Sequence, residues 1–265
     1  MALRSAILTV MIQAAEKAAR ALKRDFGEIE NLQVSRKGPA DFVSAADLKA
    51  EKTIVAELSK ARPGFGFLLE EGGTIAGSDS EHRWIIDPVD GTTNFLHGIP
   101  HVAISIGLER AGQLLAGVVL NPITDELYIA EKGGGAFVNN RRLRVAARTK
   151  PDDALIATGI PHRGRGTPED HQHFLAQQQR VMAATAGIRR MGTASLDLAY
   201  VAAGRFDGYW EMALNPWDIA AGILLVREAG GLVSNPFGPD DPMVTGHVLA
   251  SNVSLQEPLR ALIAG

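Results

Sequence analysis

Asp87 and Asp90 stand three residues apart in Trp84-Ile85-Ile86-Asp87-Pro88-Val89-Asp90-Gly91-Thr92-Thr93-Asn94-Phe95, where an apolar triplet runs into a Pro/Gly turn followed by two hydroxyl residues. A short buried strand ending in acids aims charge at one point, because the strand holds the backbone and the turn frees the carboxylates. Two carboxylates about 4 Å apart repel by roughly 4 kcal/mol at an effective dielectric near 20, so keeping both ionised takes a cation or a shifted pKa. The alternative is a capped turn, in which both aspartates accept local backbone N–H groups.

Two other stretches carry acids in similar settings. The apolar run Gly66 to Leu69 ends in Glu70-Glu71-Gly72-Gly73, a second strand delivering carboxylates into a turn, although such a segment alone reads as a solvated loop. Asn215-Pro216-Trp217-Asp218 puts an acid in the first turn of an apolar helix, where a helix-start role worth about 0.3 to 1 kcal/mol would by itself explain it. Together Glu70, Asp87, Asp90 and Asp218 are hard oxygen donors, with the Val89 carbonyl available in the turn.

The chain has no Cys, which excludes disulfides, thiolate zinc sites and cysteine nucleophiles. His97 and His101 are separated by Gly98 and Pro100, and His171 and His173 point to different faces of an expected helix, so neither pair suits zinc. Gly-x-Ser-x-Gly and Walker motifs are absent, and no helix pattern follows Gly133-Gly134-Gly135, which argues against serine hydrolase, P-loop and dinucleotide sites. Hard oxygens point to Mg2+, and Mg2+ suits phosphoryl chemistry. Backbone N–H groups of Gly91 to Thr93 at a helix start would hold the phosphate.

With 27 Lys+Arg against 30 Asp+Glu the net charge is −3, and no basic run interleaved with aromatics suggests a nucleic-acid groove. Nothing supports a membrane role. Residues 3–26 carry Glu16, Lys17, Arg20, Lys23, Arg24 and Asp25, which is unlike a signal peptide, so a cytoplasmic location and a small-molecule partner are expected.

The elements that position these residues read as follows. Ile7, Met11, Ala14, Ala18 and Leu22 predict an amphipathic first helix closed by Gly27. A strand over 32–35 and a turn at Lys37-Gly38-Pro39 come next, and Ser44 to Asp47 is a capping box opening a helix through Leu58. Val102 to Leu108, Leu114 to Asn121 and Glu126 to Glu131 read as an antiparallel sheet, and Phe137-Val138 and Leu143-Val145 flank Asn139-Asn140 like a hairpin. Past residue 148 the texture becomes alternating strand and helix, dividing the chain into an N-terminal lobe, 1–148, and a C-terminal α/β lobe, 149–265. In the second lobe, strands are expected at 155–157, 209–212 and 247–250, helices at 168–184, 194–203 and 216–229, and a capping box at Ser254 to Glu257 opens the last helix.

Glu70-Glu71, the Trp84 to Phe95 stretch and Trp217-Asp218-Ile219-Ala220-Ala221-Gly222 through Gly231 resemble the inositol monophosphatase family over nearly the whole chain. Arg189 through Gly204 and Ser35-Arg36-Lys37-Gly38 resemble its bacterial inositol-1-monophosphatase branch. The resemblance implies an α/β (α+β) fold, a layered α-β-α-β-α sandwich shared with fructose-1,6-bisphosphatase, together with a homodimer, Mg2+ dependence and lithium inhibition. It makes Glu70, Asp87, the Val89 carbonyl, Asp90 and Asp218 metal ligands. Thr92 would work with Asp47 and Glu70 to deprotonate a water. Glu211 would accept substrate hydroxyls, with Asp90, Gly91, Thr92, Gly192, Thr193, Ala194 and Asp218 close by and Arg189 a substrate or dimer contact.

The implied substrate is myo-inositol 1-phosphate or a similar polyol phosphate. Histidinol-phosphate, fructose-1,6-bisphosphate and nucleotide phosphatases share the Asp-Pro-x-Asp-Gly-Thr core and are the alternative, with a non-catalytic binding protein behind them. The loop 158–166 offers no matched position, and its Arg163 and Arg165 read as solvated.

Overall fold

Hydrophobic spacing of period 3.6 at the start of the chain, of period 2 in its middle and of both in its second half becomes a five-layer arrangement in the computed structural model, which describes residues 5–26, 34–38, 41–161 and 166–265. Gly27, residues 32–33, Pro39 and the Arg163 to Arg165 part of the loop lie outside the described residues.

The elements run α1 (Ala6–Phe26), β1 (Val34–Gly38), β2 (Asp41–Ser44), α2 (Ala45–Ala61), β3 (Gly66–Leu69), β4 (Gly73–Ile75), β5 (His82–Asp90), α3 (Thr92–Leu96), β6 (Ala103–Arg110), β7 (Gln113–Asn121), β8 (Glu126–Glu131), β9 (Gly135–Val138) and β10 (Arg141–Arg142). They continue with β11 (Leu155–Thr158), α4 (Pro168–Ala184), β12 (Gly187–Arg189), α5 (Ala194–Ala202), β13 (Gly208–Glu211), α6 (Pro216–Glu228), β14 (Leu232–Ser234), α7 (Pro242–Thr245), β15 (Val248–Ser251) and α8 (Val253–Ala264).

An eight-stranded sheet has the order β10-β9-β8-β7-β6-β5-β3-β4, and a five-stranded sheet has the order β12-β11-β13-β15-β14. The first is antiparallel except where β3 runs parallel to β5; the second is parallel through β12-β11-β13 and antiparallel at β15 and β14. On one face of the larger sheet, Met11, Ala18 and Leu22 of α1 and Ile54 and Leu58 of α2 bury Trp84, Ile86, Ile104 and Val118. On its other face α5 and α6 fill the space toward the smaller sheet, with Leu196, Leu198, Ile223 and Val226 against Val119, Tyr128 and Tyr209. Phe174 and Val181 of α4 and Leu255, Leu259 and Ile263 of α8 cover the outer face at Trp210 and Leu249. Helices α5 and α6 are apolar on nearly every side because both of their flanks are sheet.

The structure corrects several expectations. Lys37 and Gly38 belong to β1, which pairs with β2, rather than to a turn. The turn after Leu69 ends at Gly72, and Gly73 already belongs to the short edge strand β4. Strand β5 does not stop at Ile86: it runs to Asp90, with a register break in which Asp87 faces Ser105 and Asp90 faces Ala103. Pro88 has no N–H for the ladder, so the extra residue is accommodated there as a bulge. The hairpin after Phe137 turns at Asn139-Asn140, both at positive φ, but its return arm is Arg141–Arg142 rather than 143–145. The last helix is capped by Asn252, which accepts from Leu255 N at 3.0 Å, not by Ser254. Asn252 Nδ2 also donates to the Ala146 and Arg148 carbonyls at 2.8 Å, a tertiary anchorage that fixes the cap two residues early.

Candidate active site

Parallel strands finish at the same edge of a sheet, and that is why two of the acids meet. In the register of β3 and β5, Leu69 pairs with Ile86, and Glu70 N donates to Ile86 O at 3.1 Å, so Glu70 and Asp87 leave the sheet side by side. Their side chains share a hydrogen bond. Asp87 Oδ1 also accepts Val89 N at 2.9 Å, so the local-capping reading of Asp87 describes one of its contacts. Asp90 does something else: its Oδ2 accepts the N–H of Ser195 in the first turn of α5, at 2.7 Å.

Asp218 occupies the first turn of α6, and its Oδ2 accepts Asn215 N at 2.7 Å, so it caps a helix and faces the site at once. Ser105 of β6 reaches the Trp217 carbonyl at 3.2 Å and ties that helix start to the larger sheet. Asp47 is the third residue of α2. It takes the Ser44 N–H at 3.0 Å and the Ser44 hydroxyl on Oδ2, while Thr92 Oγ1 lies 3.0 Å from Asp47 Oδ1 and 3.1 Å from Val89 O. A threonine hydroxyl has one proton, so donation to Asp47 leaves the Val89 carbonyl unengaged by it.

Glu70, Asp87, Val89, Asp90, Gly91, Thr92, Gly192, Ala194, Glu211 and Asp218 line one cavity of about 230 Å³. Thr193 stands behind its wall, donating to His101 O at 2.7 Å, and Arg189 is exposed and turned onto the Ile188 carbonyl at 3.0 Å. Arg190, not Arg189, joins the lining, with Thr93 and Asn94 of the central stretch and with Gly159, Ile160 and Leu214, to which the sequence assigned no role. Gly159 leaves room for chemistry: a Cβ there would lie 1.9 Å from the Glu211 carboxylate, whose Oε2 takes the Tyr209 hydroxyl at 2.5 Å. Gly91 has φ 91° and its missing Cβ would meet Thr193 Oγ1 at 2.4 Å, which lets the second sheet's side of the molecule press against the start of α3.

Five acids and one arginine in so small a space leave negative charge uncompensated. Burial, then the charges of Glu70, Asp90 and Asp218, hold Asp87 well above the usual carboxylate range. Asp90 is pushed up to about 7 by burial, opposed by the Ser195 hydroxyl and N–H and reinforced by the charge of Glu70. Burial likewise raises Asp47, against its bonds from Ser44 and Thr92. Among the described residues no three His, Asp or Glu side chains are already closed about one ion-sized point. The donors themselves, carboxylates plus a carbonyl, fit a hard divalent cation.

Residues 3–264 match the inositol monophosphatase family. The chain belongs to that family. An inositol-1-monophosphatase of Mesorhizobium japonicum is 62% identical over 97% of this chain and 95% of its own length. The Nus factor SuhB of Pseudomonas aeruginosa is 44% identical over 97% and 95%. The crystal structure of the extragenic suppressor protein suhB of Bartonella henselae superposes with a TM-score of 0.94 at 57% identity, over 98% of both chains. This inositol monophosphatase family member is thus a phosphoric monoester hydrolase of a metal-dependent family, with the family's two sheets flanked by helices. No helix among its described residues is long and apolar enough to cross a membrane.

Proposed function

We propose that the chain is a cytoplasmic, homodimeric, Mg2+-dependent and lithium-sensitive phosphomonoesterase that hydrolyses myo-inositol 1-phosphate and similar polyol phosphates to the free alcohol and phosphate. The observation that carries this reading is the convergence of Glu70, Asp87, Asp90 and Asp218 with the Val89 carbonyl on one cavity. Bound Mg2+ would acidify a water, neutralise phosphate oxygens and stabilise the leaving alkoxide.

The chain's own residues do the rest. Glu70, Asp87, Val89, Asp90 and Asp218 hold the metal. Thr92 donates its hydroxyl hydrogen bond to Asp47, so its oxygen lone pairs are left to accept a hydrogen bond from the attacking water and orient it, and Glu70 takes up that water's other proton. The amides of Gly91, Thr92 and Thr93 open α3 without partners inside the helix and face the phosphate. Glu211, given room by Gly159, accepts hydroxyls of the alcohol, with Gly192 and Ala194 beside it.

Phosphate release from inositol 1-phosphate, measured with and without Mg2+ in wild type and Asp87→Asn, tests the reading. Equal activity in all four conditions would sink it. A panel with histidinol phosphate, fructose 1,6-bisphosphate and nucleotide monophosphates, compared by kcat/KM, decides the substrate within the superfamily. The 44% identity to a Nus factor supports a second role in a macromolecular assembly beside the hydrolase. Affinity capture from cells checks it: a stable partner retained by the Asp87→Asn protein would separate that role from catalysis.

A further inference from the structure

Asp197 of α5 is fully buried, and neither of its oxygens accepts a hydrogen bond from any described residue. His101 is 5% exposed; its Nε2 is in the same condition and lies 3.5 Å from Asp197 Oδ1. A charged carboxylate left in this state would be costly, and burial acts on both groups in the direction of neutrality. It raises Asp197 well above the usual carboxylate range, against the Arg190 charge, and pushes His101 down to about 4, against the Glu126 charge. A neutral carboxyl has a proton to give, and a neutral imidazole has a lone pair at Nε2 to take it.

The backbone of His101 is bound to the same helix from the other side. Its carbonyl accepts Thr193 Oγ1 at 2.7 Å and Asn94 Nδ2 at 2.8 Å, and Asn94 also donates to Met191 O at 2.9 Å. Thr193 is the N-cap residue of α5, and the next turn supplies the Ser195 N–H that grips Asp90. The His101 ring meets Tyr200 of α5 edge-on, with centroids 5.5 Å apart. One residue on the larger sheet's side therefore meets α5 with its carbonyl and its ring and brings Nε2 within 3.5 Å of Asp197. The carboxylate that depends on α5 is in the active site.

We propose that Asp197 and His101 are a positioning pair, in which a hydrogen bond from the Asp197 carboxyl to His101 Nε2 locks α5 in place so that the Ser195 N–H holds Asp90 in its metal-binding orientation. The inference rests on the Mg2+ site proposed above. The pair touches neither substrate nor metal and acts only through α5.

The test is a calorimetric Mg2+ titration of the full chain, run beside kcat and KM measurements. Asp197→Asn keeps an N–H for Nε2 and is expected to bind Mg2+ within about 3-fold of wild type, whereas Asp197→Leu, of similar volume, is expected to weaken binding by about 10-fold or more. His101→Phe should weaken it similarly, and the double variant no further, the non-additivity of one shared interaction. Nitrogen-15 spectra of histidine-labelled wild type should show His101 Nε2 without a proton at pH 7. An Asp197→Asn protein as impaired as Asp197→Leu would mean that charge, not a donor, is needed, and a protonated Nε2 would mean the same; either overturns the pair as described. Where Asp197→Leu does not fold, the Asn variant and the spectra decide. A wild-type chain that takes up no Mg2+ overturns the proposed function and this role with it, while wild-type Mg2+ binding that Asp197→Leu leaves intact overturns the positioning role alone.

Discussion

Asp90 Oδ2 accepts the backbone N–H of Ser195 at 2.7 Å, across 105 residues of chain. The acid at the end of the central strand is thereby oriented by a helix of the other half of the molecule. The 2.7 Å bond comes from the main chain, while the buried Ser195 hydroxyl acts on the Asp90 carboxyl from nearby without a hydrogen bond of its own among the described residues. Ser195→Ala, which keeps the N–H, should keep kcat/KM within about 2-fold, while Asp90→Ala, which removes a proposed metal ligand, should lower it by at least about 100-fold. Steady-state phosphate release checks both, and a dead Ser195→Ala enzyme would contradict the main-chain assignment.

Thr92 stands between Asp47 and the Val89 carbonyl. Thr92→Val keeps the shape and removes the hydroxyl, and should lower kcat by about 100-fold or more while Mg2+ affinity changes little. Thr92→Ser should recover most of the activity. If Val and Ser behave alike, the hydroxyl does not handle the water's proton.

Gly159 leaves the space that the Glu211 carboxylate fills. Gly159→Ala is expected to displace Glu211 and raise KM for a polyol phosphate by about 10-fold, the loss of roughly one charge-assisted hydrogen bond. Gly73, at φ 70° with nothing within 4 Å of its missing Cβ, is the control. Gly73→Ala should cost about 1 to 2 kcal/mol of stability through backbone strain and leave KM unchanged. Thermal melts and substrate titrations of the two variants separate strain from displacement.

Chelated protein should lose stability as pH rises from 6.5 to 8. Asp87 is held well above the usual range and Asp90 at about 7, so across this window the folded state binds more protons than the unfolded chain, whose aspartates titrate near 3.8. Stability from these raised groups is full below the unfolded value and disappears as pH climbs through the folded one, by up to about 1.4 kcal/mol per pH unit for each proton. His101, depressed to about 4 in the folded state, works in the opposite sense below pH 6.5, which is why the window starts there. Added Mg2+ should stabilise more at pH 8 than at 6.5, because protons and metal compete for the same oxygens. Calorimetric melts across the window check this, and a melting temperature that rises with pH in chelator would refute it.

Local pattern reached far into this molecule. The apolar period of Ile7 to Leu22 is α1, Ser44 and Asp47 do close a capping box on α2, and the strands after Val102 lie where alternation and turn residues put them. Glu70, Asp87, Asp90 and Asp218, which line the cavity, are the acids whose strand-end and helix-start settings singled them out, whereas the fifth, Glu211, was reached only through the family resemblance. Where local reading went astray, a contact from elsewhere prevailed. The ladder with β6 carried β5 past Asp87 to Asp90, and the bonds of Asn252 to Ala146 and Arg148 moved the last cap ahead of Ser254.

By itself the sequence determined most of the elements, the acids that come to line the cavity and the family, because periodicity, capping and turn chemistry act between residues a few positions apart and a motif keeps its residues together. Tertiary structure alone decided that Glu70 and Asp87 emerge side by side, that Ser195 grips Asp90, that Gly159 yields space to Glu211 and that Arg190 rather than Arg189 faces the cavity. Each of those depends on sheet register or on the docking of α5 and α6 between two sheets. Such docking is set by the packing of whole buried faces, which no short stretch of chain encodes.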